Sequence, residues 1–256
     1  VSLAPPAPEW RLKIVEVLTS TSDLCRTLAE AGEPDGMAVL ARRQTQGRGS
    51  RGRSWDAPVG NLFLSVLLRP RDAARDAAQW SLLAGVALAD ALAPYVPLAG
   101  AVRLKWPNDV LLDGRKLAGI LVESATDSRG ALRYIVIGMG VNLAGAPDLP
   151  DRRAACLAEL GPPPAPDAFA AELLDRIGHW RRMRLVEGFA AIRSAWHARA
   201  TALGDHMTLR HGGQVVGGLY AGLGEDGSLL LQTGGRVRAF TTGEVLFGQE
   251  PPCSPS

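Results

Sequence analysis

The stretch Gly47-Arg48-Gly49-Ser50-Arg51-Gly52-Arg53-Ser54-Trp55 sets three glycines, three arginines and a tryptophan into nine residues. Apolar runs over 37–43 and 61–68 read as strands on either side of it, so the stretch is a loop between strands. Glycine gives such a loop access to φ > 0 and close approach to a ligand. Arginine presents a fixed fork of donors that suits phosphate and carboxylate oxygens. The content is that of an anion-binding loop.

Three other readings compete. Gly47-x-Gly49-x-x-Gly52 matches the dinucleotide fingerprint by letter, but that fingerprint needs a helix opening at the third glycine to receive the pyrophosphate. Arg-Ser-Trp-Asp-Ala-Pro-Val-Gly follows instead, which is turn chemistry, so the fingerprint fails on context. A kinase-type glycine loop shares the spacing, yet no His-Arg-Asp or Asp-Phe-Gly segment follows. A solvated basic turn is the plain alternative, and residues 105–123 decide against it.

At 256 residues the chain is long enough for one large domain and a small one. Its 46% hydrophobic and 21% charged residues are an ordinary globular balance, and a net charge of +2 gives no case for binding nucleic acid wholesale. Positive charge is carried by 25 arginines and three lysines, two of which, Lys105 and Lys116, fall in the segment that decides the reading. A compact ammonium at those points differs in kind from a planar fork. Cys25, Cys156 and Cys253 are odd in number, far apart and without metal spacing, which fits a reducing cytosol. No apolar run approaches the ~20 residues of a membrane span. A cytoplasmic location without membrane attachment is expected, and the proline-rich start lacks signal-peptide character and leaves no room for an N-terminal DNA-binding module.

In chain order, residues 1–9 are expected to be disordered and 10–17 to form a strand. Thr19 to Asp23 offers several N-caps for a helix over 22–32, closed by Gly32. A hydroxyl cluster there reads first as a cap, although the same hydroxyls and N–H groups suit a polar ligand head. A helix is expected over 81–93, with Leu82, Val86 and Ala89 on one face, and strands over 102–106, 110–112, 117–123 and 132–141, with Asp113-Gly114 a hairpin turn. After a proline-rich connection over 147–166, Asp167 is expected to cap a helix through 184, followed by a second carrying Phe189, Ile192 and Trp196. From Gly204 onward five short strands alternate with glycine-containing turns, which predicts a small β-barrel over 204–250 after a larger domain over 10–203, with a disordered tail over 251–256.

Lys105-Trp106-Pro107-Asn108-Asp109 places a cation, an amide and a carboxylate within five residues, and the return strand opens Lys116-Leu117-Ala118-Gly119. A carboxylate suited to Mg²⁺ beside cations suited to phosphate belongs to nucleotide chemistry. Gly138-Met139-Gly140-Val141-Asn142 ends an apolar strand with two glycines, open to close approach by a flat ring.

In this order GRGSRGRSW, KWPND, KLAGILVE and GMGVN resemble the biotin protein ligases, whose pattern is G-R-G-R-x-G-R-x-W, K-W-P-N-D, K-L-A-G-I-L-V-E and G-x-G-x-N. The resemblance covers residues 12–250, and its clear departure is Ser50 in place of arginine. It implies an α+β fold: a class II aminoacyl-tRNA synthetase-like mixed sheet flanked by helices, with an SH3-like C-terminal barrel. It implies that biotin and ATP give biotinyl-5′-AMP, and that a lysine of a biotin carboxyl carrier domain then takes the biotin. Without a DNA-binding module the chain resembles the monofunctional class, with a second copy of itself a partner the family allows.

The catalytic residues so implied are Arg48, Lys105, Lys116 and Asp109, with Asp109 also the expected Mg²⁺ ligand. Biotin falls to Ser20, Thr21, Ser22, Gln44, Arg48, Gly49, Ser50, Lys116 and Gly119. ATP and the adenylate fall to Arg48, Arg51, Arg53, Trp55, Asn108, Asp109, Lys116, Gly138, Gly140 and Asn142. A lipoate or octanoate ligase on a related fold is the nearest rival, and its greasy acyl chain does not call for the Arg/Gly loop. A catalytically idle biotin-binding protein is the other, against which the intact Lys105, Asn108, Asp109 and Lys116 speak.

Overall fold

The computed structural model describes residues 10–55, 57–147 and 154–246. The expectations of disorder over 1–9 and 251–256 lie outside the described residues. The chain begins β1 (Arg11–Leu18), α1 (Thr21–Glu30), β2 (Met37–Gln44), β3 (Leu62–Leu68) and α2 (Ala77–Leu92). There follow β4 (Val102–Lys105), β5 (Asp109–Leu112), β6 (Arg115–Thr126), β7 (Leu132–Val141), α3 (Pro166–Glu187) and α4 (Phe189–His197). It continues through β8 (His206–His211), β9 (Gln214–Leu223), β10 (Leu229–Thr233), β11 (Arg236–Phe240) and β12 (Glu244–Leu246).

The first seven strands form one sheet in the order β1-β2-β3-β7-β6-β5-β4. β1 and β2 run parallel and the other neighbours antiparallel, so the sheet is mixed, as expected. Asp113 and Gly114 turn β5 into β6 with φ of 48° and 76°, the double positive φ of a tight hairpin. The last five strands form an antiparallel sheet in the order β11-β10-β9-β8-β12, a small second sheet at the end where a small β-barrel is expected. Residues of both sheets contribute to one continuous apolar core.

Two helices depart from expectation. α2 starts at Ala77 and is buried almost all round, because it lies between the sheet on one side and α3 and α4 on the other. A helix covered on both sides shows weak one-sided periodicity, so the sequence pattern understates it. Asp167 does not cap α3: Ala165 holds the cap position and Pro166 the first turn, where proline's missing N–H costs nothing. The Asp167 carboxylate instead takes both arms of Arg42, at 2.7 and 2.8 Å. Among the described residues no helix is long and apolar enough to cross a membrane.

The two sheets are joined by polar contacts as well as by the core. Trp106 Nε1 donates to Gly227 O at 3.1 Å, and Gln79 Nε2 donates to Glu225 O at 2.8 Å. The tryptophan of the Lys-Trp-Pro-Asn-Asp segment therefore faces the second sheet, a role its neighbours in the motif did not suggest.

Candidate active site

The hydroxyls at the start of α1 do not cap it. Ser20 sits at the cap position in extended geometry, yet its side chain makes no cap hydrogen bond. Thr21 and Ser22 turn inward, where Thr21 N and Thr21 Oγ1 lie 2.7 and 3.1 Å from Gln44 Oε1. Thr21 Oγ1 and Ser22 Oγ meet Ser65 Oγ at 2.7 and 3.0 Å. All three hydroxyl residues are buried, Ser65 completely. Strand pairing sets Ser65 beside Gly138, and a Cβ at 138 would stand 2.5 Å from Ser22 Oγ. Gly138 thus makes room for a hydroxyl. Ser65 was not among the residues nominated from sequence. Its signal was a single serine in the otherwise apolar strand LFLSVLL, since a buried hydroxyl needs a partner.

The cations come from two directions. Lys116 Nζ lies 2.6 Å from Asp109 Oδ1, with the two side chains only 15% and 11% exposed. A bulge in the β5–β6 pairing at Val110–Leu111 lies between them, a feature that re-aims side chains. Asn108 Nδ2 donates to Ile120 O at 2.7 Å and closes the turn. Arg48 grips Glu123 with both arms, at 2.9 and 2.6 Å, and reaches Asp23 at 2.9 Å. Its hydrogen bonds to Glu123 raise the guanidinium pKa further, against the opposing effect of burial.

The Arg/Gly loop closes on itself through Gly49 N to Arg53 O at 2.7 Å and Trp55 N to Gly47 O at 2.8 Å. Arg51, at φ 60°, holds a left-handed backbone that costs a non-glycine residue roughly 1–2 kcal/mol. It is held there by Glu244 Oε2 of β12 at 2.6 Å and by Gly243 O just before that strand. Arg53 reaches the same Glu244 at 3.3 Å. Burial pushes the Glu244 carboxyl up, but the charges of Arg53, Arg51 and Lys105 together outweigh it and hold the group below its ordinary value. Trp55 lays its indole against Gly119 and Gly140, where any side chain would collide with the ring, and Lys116 Nζ stands 5.2 Å from the ring centroid. Trp55 Nε1 and Arg48 Nε are buried without a partner among the described residues, two donors available to a ligand.

These parts line a cleft that is partly open to solvent. Of the residues nominated from sequence, Ser20, Thr21, Ser22, Gln44, Arg48, Gly49, Ser50, Trp55, Asn108, Lys116, Gly119, Gly138 and Gly140 line it. Asp109 joins through Lys116. Three others lie elsewhere: Lys105 lines a contact between the sheets, while Arg51 and Arg53 turn to Glu244. Asn142 is a brace, its Nδ2 donating to Ala155 O at 3.0 Å.

Among the described residues no group of three or more His, Cys, Asp or Glu side chains is arranged to hold a metal ion. Asp109 is the acid beside Lys116. One carboxylate with phosphate oxygens and water is an ordinary Mg²⁺ set, so Asp109 fits Mg²⁺ as an ion carried in by a nucleotide.

Known proteins place this geometry. Residues 14–142 match the Biotin/lipoate A/B protein ligase family. The chain is 40% identical over 216 residues to the biotin–[acetyl-CoA-carboxylase] ligase of Paracoccus denitrificans, covering 82% of this chain and 90% of that one. It is 36% identical over 249 residues to the enzyme of the same name from Mycobacterium tuberculosis, covering 93% and 89%. Its fold is similar to the biotin protein ligase from Aquifex aeolicus in complex with biotin and ATP, with a TM-score of 0.75 and 28% identity over 92% of this chain and 97% of that one. The polar-floored cleft, the paired cations above it and these matches agree: the chain belongs to the biotin/lipoate A/B protein ligase family.

Proposed function

We propose that this protein is an ATP-dependent biotin protein ligase, acting on the biotin carrier of an acyl-CoA carboxylase. The observation that carries the choice of biotin is the polar floor of Thr21, Ser22 and the half-buried Gln44, with Ser65 packed behind it. A ureido ring brings one acceptor and two donors to such a floor, whereas the dithiolane of lipoate brings none of those N–H groups.

In the first step a biotin carboxylate oxygen attacks the α-phosphorus of ATP. The bond to the β-phosphate oxygen breaks and pyrophosphate leaves. Two anions must meet, so the site's task is to hold cations where they meet and to keep water out. Lys116 is placed for this, nearly buried and already desolvated against Asp109. The arriving anions replace Asp109 as its partner or share it. Arg48 is tied to Glu123 and Asp23, so its part in anion binding runs through Nε, its backbone and the shape it gives the loop. Mg²⁺ arriving with ATP would neutralise phosphate charge, with Asp109 the protein ligand at hand. In the second step the carrier's lysine amine attacks the mixed anhydride carbonyl and AMP leaves. The division into a catalytic unit over 10–203 and a smaller unit over 204–250, which supplies Glu244, belongs to the same proposal.

The test is incubation with ATP, Mg²⁺, biotin and a carrier domain, read by mass, with lipoate in a parallel arm. Biotin-dependent pyrophosphate release and one biotin per carrier are expected. Transfer of lipoate in preference to biotin would refute the assignment.

A further inference from the structure

We infer that Ser65 is a positioning residue that fixes which way the Ser22 hydroxyl points its proton, and so, with Thr21 already set by Gln44, selects a ligand edge that donates hydrogen bonds. The inference rests on the biotin reading given above and deepens it. Ser65 does not line the cleft: it lies behind Thr21 and Ser22, fully buried on β3.

The proton order follows in three steps, each forced by the one before. The backbone N–H of Thr21 has only a proton to offer, so the Gln44 atom 2.7 Å away is an acceptor, the amide oxygen. Thr21 Oγ1, 3.1 Å from that same oxygen, must give its single proton to it. Having spent that proton, Thr21 Oγ1 can only accept from Ser65 Oγ at 2.7 Å. Ser65, having spent its own, can only accept from Ser22 Oγ at 3.0 Å. The chain runs Ser22 to Ser65 to Thr21 to Gln44. At the cleft wall Thr21 and Ser22 are left with lone pairs and no proton, while the Gln44 amide nitrogen keeps its donors.

A wall of this polarity accepts ring N–H groups and repels a ring oxygen in their place. A mixed wall of freely rotating hydroxyls would take either, because a hydroxyl turns to suit its partner. Gln44 removes that freedom at Thr21, and Ser65 removes it at Ser22. Gly138 permits it, since a side chain there would displace Ser22.

The test compares biotin with two cyclic carbamate analogues, each carrying oxygen in place of one ring N–H, on the wild-type chain and on Ser65→Ala. Binding is measured by calorimetry and turnover by pyrophosphate release. For the wild type we expect biotin to be preferred over the analogue that sets oxygen against Thr21 and Ser22 by at least about tenfold, the scale set by leaving buried polar groups mispaired. In Ser65→Ala the Ser22 proton is released, and that preference should shrink by about tenfold, with saturated turnover on biotin within about threefold of wild type. A preference that stays within about twofold of the wild-type ratio while both affinities fall together would show that Ser65 only packs, and overturns the inference. Absence of biotin-dependent pyrophosphate release in the wild type would instead overturn the biotin reading itself, so the two failures are distinguishable.

Discussion

At the floor of the cleft, Thr21 and Ser22, with Ser65 behind them, are buried and bond through uncharged groups, Thr21 also to Gln44. Above it, Arg48, Arg51 and Arg53 of the loop are about two-fifths exposed and held by carboxylates of other elements, Glu123, Asp23 and Glu244. Breaking a buried hydroxyl bond costs about 1–3 kcal/mol because a polar group is left unpaired. An exposed ion pair contributes only about 0–1 kcal/mol and weakens with salt. The floor is therefore pre-set and selective, and within the loop Arg51 and Arg53 can exchange Glu244 for a ligand's phosphate or carboxylate at small cost, while Arg48 stays tied to Glu123 and Asp23. Recognition of the ring and capture of the anions are thus separated in space and in kind of force.

The largest effect should come where the two regions meet. Lys116→Ala removes the cation beneath the loop and leaves Asp109 buried and unpaired, so adenylate formation in a single turnover should fall by about 10²–10³-fold. Rates within threefold of wild type would show that Lys116 is only a structural partner of Asp109. On the floor, Thr21→Val should weaken biotin binding by about 10–100-fold with ATP affinity little changed, the cost of one buried hydroxyl. A loss of ATP affinity of the same size would break the proposed division between floor and loop.

Within the loop, Ser50→Arg should slow release of preformed adenylate by about tenfold, the value of one charge-assisted contact. Arg51 next to it is turned to Glu244 and Gly243. Stopped-flow dissociation rates unchanged by the substitution would show that another group already makes that contact. Glu244→Gln should have the smallest effect, about threefold on ATP affinity, in line with exposed pairs. It should also speed amide exchange over 47–55 without touching that of α1. The same tether is sensitive to pH. Because the Glu244 carboxyl is held below its ordinary value of 4.5, its stabilisation is complete above that pH and is lost as pH falls through the lowered value. Protection of the 47–55 amides, corrected for the intrinsic pH dependence of exchange, should fall in that acid window in wild type and stay flat in Glu244→Gln.

Much of the fold was legible because it is written locally. Short apolar runs pointed to the strands, the Asp113-Gly114 pair to its hairpin, and glycine-containing turns to the small second sheet. The motif residues could be nominated because chemistry clusters within short windows such as Lys105 to Asp109. Their partners could not. Arg48 meets Glu123 across 75 positions, and Arg51 meets Glu244 across 193. Trp106 stands inside a motif yet docks the second sheet. Ser65 looked like one polar residue in an apolar strand until the strand order set β3 beside β7 and brought Gly138 and Ser22 to it.

The amino-acid sequence by itself determined which segments are strands, which loop carries the arginines, and which short motifs bear a ligase's cations and carboxylate. Periodicity and turn chemistry are properties of neighbours along the chain. Only the tertiary structure decided that the α1 hydroxyls serve a cleft and not a cap, and that Glu123 and Glu244 anchor the loop. Those outcomes depend on which strand lies beside which, and no local pattern encodes what stands opposite a side chain across a sheet.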